Sequence, residues 1–238
     1  MFGFYILAHI KLIVNPIDAL DYGKRNIFKQ SYIYYLALLT FDANDNIILI
    51  KKINCYMEKP QMSIWHDVDP SRITPTDFLA CIEISKGSKN KYELDKATGS
   101  LILDRVLYTS THYPANYGFI PHTYSEDNDP LDVLVLCSEP IVPLALVRCY
   151  PIGVMMMQDS GEMDYKIIAI PFKDPNWNSY KEIEELPSHI MEEMSHFFRV
   201  YKQLEGKQTT VFQVKNREFA ELIIKDNLTA YKKKFNVE

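Results

Sequence analysis

Glycine is scarce in this chain, and several patterns that mark specialised classes of protein are missing from it. The 238 residues include 8 glycines against 16 tyrosines and 12 phenylalanines, which excludes a low-complexity or disordered chain. No long block of Lys or Arg is present and the net charge is -5, so we expect no nucleic acid partner. Because 47% of the residues are apolar, a packed core is expected.

The cysteines and histidines do not form a metal-binding pattern. Four cysteines occur without a C-x-x-C pair and six histidines are scattered along the chain, so no zinc site is predicted. Cys81, Cys137 and Cys149 lie in apolar segments typical of strands, where buried free thiols are usual. Free thiols favour a cytoplasmic location. The apolar stretch 1–17 is interrupted by polar residues and is too short to span a bilayer, so no membrane association is expected.

Residues 1–60 differ in pattern from the rest of the chain. There, segments 31–41 and 47–53 predict two strands around a turn rich in Asn and Asp. From about Met62, short apolar segments alternate with Pro, Asp and Gly, and residues 96–99 predict a hairpin turn. The predicted strands of this part, at spacings typical of an antiparallel sheet or barrel, are 79–84, 90–95, 100–108, 132–136, 147–157 and 165–172.

Two helices are predicted after the strands. Ser188 is predicted to cap a helix whose apolar residues recur every three or four positions, and Gly206 is predicted to end it. Asn216 is predicted to cap the second helix. Strands first and helices last indicate an α+β domain, in which a closed or nearly closed β-barrel carries helices against its outside.

Two acidic turns are the most informative segments. Residues 126–132 read EDNDPLD and place four carboxylates within seven positions. A solvated acidic turn is the simpler interpretation, but Pro130 stiffens this turn and Asp132 opens an apolar strand, where an unpaired charge is costly. An EF-hand loop is excluded, because no glycine follows and a strand comes next. A second acidic turn, 159–164, lies between two predicted strands, and carboxylates converging from both turns would suit Mg²⁺, which prefers oxygen ligands.

Basic residues that could bind an anion occur at strand positions. Lys91, Arg105 and Lys166 each lie in or next to a predicted strand, and an Arg held within a strand suits bidentate binding of phosphate. For any one of them alone, a surface salt bridge is the simpler interpretation. Tyr201, by its spacing in the first predicted helix, is a core aromatic residue.

An ordered set of motifs resembles the family I soluble inorganic pyrophosphatases. The motif D-x-D-P-x-D-V is present at 127–133, and the resemblance covers roughly residues 62–236. The segments that carry it are KYELDKATG (91–99), LDRVLY (103–108), YPANYGFIPHTYSEDNDPLDVLVL (113–136), RCYPIGV (148–154), DSGEMDYKIIAIP (159–171) and HFFRVYK (196–202).

The resemblance implies a fold, a reaction and a set of site residues. The implied fold is a distorted five-stranded OB-like β-barrel flanked by two C-terminal helices, and the implied reaction is Mg²⁺-dependent hydrolysis of pyrophosphate to two phosphates. Asp129 matches the acceptor of a proton from the attacking water, Tyr117 a tyrosine near the nucleophile, and Glu83 another cavity acid. The implied metal ligands are Asp127, Asp132, Asp159, Asp164 and Glu93. The implied phosphate-binding residues are Lys91, Arg105, Lys166, Tyr201 and Lys202.

Two other functions compete with this hypothesis. A metal-dependent hydrolase of nucleotides or organic polyphosphates would need an aromatic platform for a base, and none is evident near the motifs. A non-catalytic OB-like binding module would have lost active-site residues, yet every matched acid and base is present, and the acidic balance argues against an oligonucleotide ligand.

The domain organisation is predicted from the extent of the resemblance. Residues 61–238 are predicted to form the inorganic pyrophosphatase domain, and 1–60 an N-terminal extension without a counterpart in the compact family domain. Residues 1–60 are either an added subdomain or upstream sequence before a working start at Met57 or Met62, and the second is favoured. A chain beginning at Met57 that lost folding or activity would show that the extension matters. The size of the matched domain implies a homo-oligomer, with a hexamer expected and a dimer as the alternative.

Overall fold

The chain divides into two compact units, residues 1–61 and 62–238. The computed structural model describes residues 63–96, 98–159 and 161–237, together with strand segments between residues 16 and 58. The first unit contains strands β1 (Pro16–Ile17), β2 (Ser31–Phe41) and β3 (Ile47–Glu58), which form an antiparallel sheet in that order. Both predicted strands of this part are confirmed, and the turn predicted between them lies outside the described residues.

The second unit contains every other strand and helix. Each predicted strand is present with its ends moved by a few residues, whereas β7 and β11 were not predicted. Its helices are α1 (Ile64–Asp67), α2 (Ser188–Val200) and α3 (Arg217–Phe235). Its strands are β4 (Phe78–Ile84), β5 (Asn90–Leu94), β6 (Leu101–Val106), β7 (Asn116–Phe119), β8 (Asp132–Val135), β9 (Leu146–Asp159), β10 (Glu162–Pro171) and β11 (Thr209–Asn216).

Five of these strands close into a ring. Strand β4 pairs with β7 and β9, β7 pairs with β8, β8 pairs with β10, and β10 returns to pair with β9. The predicted five-stranded closed architecture with two C-terminal helices is therefore confirmed. One pair of the ring, β8 and β10, runs parallel, whereas the other four pairs are antiparallel. The intervening strand β9 reverses the chain direction between them, so β10 runs in the same direction as β8.

Alternate residues of the ring strands face two cores. On β8, Leu134 belongs to the core that packs against α2, whereas Val133 and Val135 belong to the core that packs against α3. Where β4 pairs with β7, a Cβ atom at Gly118 would lie 1.8 Å from the backbone oxygen of Cys81, so only glycine permits this approach. The ring is thus buried on both sides, and its strand ends and the adjoining loops are left to form a site.

The helix boundaries correct two details of the sequence analysis. Helix α2 begins at Ser188 itself, so this residue does not cap it, and Gly206, with φ of 73°, ends the short 3₁₀ turn that follows α2. Asn216 caps α3 as predicted, because its side-chain oxygen accepts a hydrogen bond of 3.2 Å from the backbone N–H of Phe219. Within the described residues, no helix combines the length and the apolar character needed to cross a bilayer.

Candidate active site

One polar cavity brings together residues that are far apart in the sequence of the second unit. It is lined by residues from β4, β5, β7, β8, β9 and β10, from the acidic turn before β8 and from the end of α2. Every site residue predicted from the sequence, except Arg105, contributes to its wall. These residues are Glu83, Lys91, Glu93, Tyr117, Asp127, Asp129, Asp132, Asp159, Asp164, Lys166, Tyr201 and Lys202.

The acidic turn before β8 is held by its own backbone. Asn128 adopts a left-handed conformation with φ of 68°, which asparagine tolerates better than most residues. The backbone N–H of Asp129 then donates a hydrogen bond of 3.1 Å to the Asp127 carboxylate. The hydroxyl of Thr123 accepts a hydrogen bond of 2.8 Å from the Leu131 N–H where the turn meets β8. The turn therefore fixes where its carboxylates lie relative to the strand.

Strand pairing places a lysine among the carboxylates. Lys166 on β10 is the register partner of Asp132 on β8, and Asp164 lies two residues earlier, on the same face of β10. The Lys166 ammonium group contacts Asp132 directly, lies 2.7 Å from Asp164 and donates a hydrogen bond of 3.1 Å to the Tyr117 hydroxyl. Burial lowers the pKa of Lys166, but the charges of Asp132 and Asp164 outweigh it and raise the pKa well above its ordinary value. Lys166 therefore stays charged.

Negative charge exceeds positive charge in the cavity wall. Seven carboxylates but four lysines line it, and each lysine contacts at least one carboxylate. Burial, aided by the charge of Asp132, raises the pKa of Asp164 to about 6, although Lys166 opposes the shift. Burial also raises the pKa of Asp127, and the charge of Asp132 adds to this rise, while the hydrogen bond from the Asp129 N–H opposes it. This cavity is therefore short of cations.

The carboxylate oxygens of the cavity are suitable ligands for a hard divalent cation, although they do not converge on one point. Among the described residues, no three Asp, Glu, His or Cys side chains converge as metal ligands. The lysines lie between the acids: Lys166 separates Asp132 from Asp164, and Lys202 contacts Asp159. The donor chemistry and the excess of negative charge both suit Mg²⁺, which binds carboxylate oxygens and retains water ligands.

Comparisons with known proteins identify the family. The family model for inorganic pyrophosphatase matches residues 80–232, which is more than half of the chain. This chain belongs to the inorganic pyrophosphatase family. Soluble inorganic pyrophosphatase 2 of Chlamydomonas reinhardtii is 48% identical over 172 residues, covering 72% of this chain and 89% of that protein. Soluble inorganic pyrophosphatase PPA1 of Solanum tuberosum is 52% identical over 147 residues, covering 62% of this chain and 70% of that protein.

Solved structures of the same family share the fold. The inorganic pyrophosphatase of Thermus thermophilus superposes with a TM-score of 0.69 at 34% identity, over 71% of this chain and 99% of that chain. That of Helicobacter pylori superposes with a TM-score of 0.67 at 40% identity, over 70% of this chain and 99% of that chain. The residues matched by the family model, 80–232, all lie in the second unit.

The two tyrosines predicted from the inorganic pyrophosphatase motifs lie between the core and the cavity. Tyr201 packs its ring on Phe197 and Phe198, with ring centroids 5.3 Å and 5.5 Å apart, and also lines the cavity. The core assignment made from helical spacing and the site assignment made from the family resemblance are therefore compatible. Burial raises the pKa of both Tyr117 and Tyr201, so each phenol keeps its proton and can donate a hydrogen bond.

Arg105 is the predicted site residue that the cavity wall does not include. Its guanidinium group contacts Asp104 and donates a hydrogen bond of 2.8 Å from Nε to Glu205. The carboxylate of Asp104 also accepts a hydrogen bond of 3.1 Å from Lys91, which joins Arg105 to the cavity through one shared acid. Asp104 was visible beside Arg105 in the sequence, whereas no local signal pointed to Glu205.

Two further residues of the cavity wall, Lys96 and Trp65, were not predicted from the sequence. The Lys96 ammonium group contacts the Asp129 carboxylate and lies 5.0 Å from the centre of the Trp65 ring. Lys96 lies within a motif that the family resemblance already used, so its sequence position was a usable signal. Trp65 lies outside every motif, and only the packing of α1 brings it to the cavity.

Glu83 gives the metal-free protein a predicted pH dependence. The Glu83 carboxylate is buried on β4 and accepts a hydrogen bond of 2.7 Å from the Leu94 N–H. Burial raises its pKa from an ordinary value of 4.5 to about 8, so the folded chain keeps a proton that the unfolded chain releases. Between these pH values the free energy of unfolding should therefore fall as pH rises, by at most about 1.4 kcal/mol per pH unit.

Glu83→Gln tests this expectation, because the amide oxygen can still accept the Leu94 N–H. The free energy of unfolding of the variant minus that of the parent chain should increase from pH 5 to pH 8 by about 2 kcal/mol or more. Urea unfolding at both pH values with a chelator present measures the difference. An equal effect of the substitution at pH 5 and pH 8 would contradict the assignment.

Proposed function

We propose that this protein is a Mg²⁺-dependent inorganic diphosphatase that hydrolyses pyrophosphate to two phosphates. The observation that carries the proposal is the single cavity in which two acidic turns, distant in sequence, meet four lysines and three phenols. Pyrophosphate carries several negative charges and has no apolar part, so a site for it needs both cations and proton donors. The family membership of the chain supports the same reaction.

Five residues are proposed to hold the metal. The bound cations would supply charge neutralisation and an acidified water near neutral pH, which hydrolysis of an anhydride requires. The carboxylates already face the cavity, and the lysines beside them could move to substrate oxygens once metal neutralised the acids. The proposed ligands are Asp127, Asp132, Asp159, Asp164 and Glu93.

The remaining cavity residues have proposed roles in proton transfer and substrate binding. Asp129 accepts a proton from the attacking water, because it is an exposed carboxylate at the tip of the acidic turn and can reach solvent. Tyr117 hydrogen-bonds near the nucleophile, and Glu83 is a further cavity acid. Cations and a phenol bind the phosphoryl oxygens, and these residues are Lys91, Arg105, Lys166, Tyr201 and Lys202.

A nucleotide substrate is disfavoured because the one tryptophan in the cavity wall is covered by neighbouring side chains. Trp65 could serve as a platform for a base, yet the residue is only 5% exposed. Lys96 lies over the ring, His66 stacks on it with centroids 4.6 Å apart, and Phe235 meets it edge-on. A base would have to displace these contacts, so the cavity suits a substrate without one.

Release of phosphate tests the proposed reaction. With Mg²⁺ present, the full chain should release phosphate from pyrophosphate well above the buffer rate and much faster than from ATP. A chelator should abolish the release, and added Mg²⁺ should restore it. Release no faster than in buffer would reject the proposal, and equal rates with pyrophosphate and ATP would favour the nucleotide hydrolase instead.

The proposal extends to the part of the chain that carries the activity and to its cellular location. The activity is assigned to residues 61–238, with 1–60 as an N-terminal extension. A cytoplasmic location is supported by Cys81, Cys137 and Cys149, which are free thiols, and cell fractionation that found the chain secreted would contradict it.

The proposed assembly is a homo-oligomer, with a hexamer favoured over a dimer. Sedimentation of the full chain should give a mass well above that of one 27.8 kDa chain. A monomer at the concentration used for activity would overturn the prediction, and a dimer would overturn the preference for a hexamer.

A further inference from the structure

Arg105 lies beside the cavity on the hairpin that β5 and β6 form. It is the register partner of Lys91, and directly paired residues of an antiparallel hairpin point to the same face. Lys91 lines the cavity, while the Arg105 side chain, 18% exposed, contacts groups next to it. The position of the guanidinium group therefore depends on its partners and not on the strand alone.

The three nitrogens of this guanidinium group have different surroundings. Nε donates to Glu205 at 2.8 Å, and Nη1 contacts Asp104. Nη2 is buried without a hydrogen-bond partner, and it is the single buried side-chain polar atom of this kind among the described residues. A buried N–H group without an acceptor is unfavourable, and an anionic phosphoryl oxygen would satisfy it with a charge-assisted bond.

Glu205 reaches Arg105 from a different part of the chain. It belongs to the 3₁₀ turn Gln203–Glu205, which directly follows Lys202, and its N–H donates a hydrogen bond of 3.0 Å to the Lys202 carbonyl. The turn therefore carries a cavity lysine at one end and the partner of Arg105 at the other. The Glu205 side chain is 9% exposed, so its charge depends on Arg105 for compensation.

We propose that Glu205 is a positioning residue that orients Arg105 beside Lys91, so that Nη2, now covered and without a partner, bonds a phosphoryl oxygen once the side chains that cover it move on substrate binding. The inference rests on the proposed function and extends it to a residue outside the cavity wall. Asp104 and Glu205 together fix two of the three nitrogens, and the third is left for the ligand. The same contact joins the hairpin to the end of α2, so the phosphate-binding groups of both elements keep a fixed separation.

Substitutions at Glu205 test this role. Glu205→Leu removes the acceptor at similar volume and should lower kcat/KM for pyrophosphate by about 10- to 100-fold, the range found when supporting partners of metal ligands are removed. The loss should be mainly in KM, because the contact acts on substrate binding. Glu205→Gln retains an oxygen that can accept from Nε and should recover part of the loss. Glu193→Gln, an exposed acid on α2, is the matched control and should change nothing.

A double substitution separates positioning from general support of the fold. If Glu205 acts through Arg105, adding Glu205→Leu to Arg105→Lys should cost much less in kcat/KM than Glu205→Leu alone. Thermal melting of each variant shows whether the fold is retained. A lower melting temperature with KM and kcat/KM within about twofold of the parent chain would assign Glu205 a structural role only and overturn the inference.

Binding of a non-hydrolysable analogue keeps the test independent of the reaction. Calorimetry with methylenediphosphonate and Mg²⁺ should show weaker binding to Glu205→Leu, with Glu205→Gln intermediate. This result would support the positioning role even if the parent chain did not hydrolyse pyrophosphate, in which case the proposed reaction alone would fail. Equal affinity of all three chains for the analogue would overturn the role of Glu205 and leave the proposed reaction standing.

Discussion

Asp129→Asn is expected to lower kcat for pyrophosphate hydrolysis by about 10²- to 10⁴-fold without unfolding the chain. An asparagine keeps the shape of the side chain but cannot accept a proton from water. The Asp129 side chain is 54% exposed, and its ion pair with Lys96 lies at the surface, where loss of such a pair costs little stability. The backbone N–H that anchors the turn to Asp127 is unchanged by the substitution.

Steady-state rates and thermal melting of the same preparation measure the two parts of this expectation. Asp226→Asn, an exposed acid on α3, serves as the matched control and should keep full activity. A variant that melted far below the parent chain would show that Asp129 is structural. A folded variant with kcat within about threefold of the parent would remove Asp129 from the proposed mechanism.

Lys166→Met is expected to destabilise the metal-free protein by about 3–5 kcal/mol, because it removes a buried cation from between two half-buried carboxylates. The Lys166 side chain is 5% exposed and contacts both Asp132 and Asp164. Methionine matches its length but carries no charge. Asp132 and Asp164 would then repel one another with no cation between them, and this repulsion favours the unfolded state.

The metal should reverse part of this loss. A divalent cation bound by the same carboxylates would neutralise them, so Mg²⁺ should stabilise Lys166→Met more than it stabilises the parent chain. Urea unfolding with a chelator and with Mg²⁺ gives both values, and Lys225→Met on the exposed side of α3 is the control. A loss below about 1 kcal/mol with chelator would show that Lys166 does not compensate these acids. Equal stabilisation of both chains by Mg²⁺ would argue against metal binding at Asp132 and Asp164.

The two experiments separate chemistry from charge balance. Asp129 is exposed and paired at the surface, so its substitution should affect the reaction and leave the fold. Lys166 is buried between carboxylates, so its substitution should affect the fold first. If the Asp129 substitution unfolded the chain and the Lys166 substitution left its stability unchanged, the electrostatic description of the cavity would be wrong.

The sequence by itself determined the local features of this protein. Apolar runs bounded by turn residues identified six of the eight strands described in the second unit, and an asparagine before an apolar repeat identified the cap of α3. The clustering of acids in 126–132 and 159–164 was equally visible, because each cluster is contiguous in the chain. These features depend on periodicity and composition over short windows, which a sequence states directly.

Only the tertiary structure decided which distant residues meet. The parallel pairing of β8 with β10 places Lys166 opposite Asp132, and no short window of sequence contains that register. The packing of α1 brings Trp65 to the cavity, and Glu205 reaches Arg105 across 100 residues of chain. The physical reason is that strand register and helix packing are fixed by burial of the whole core, so contacts between distant segments follow from the complete fold and not from local pattern.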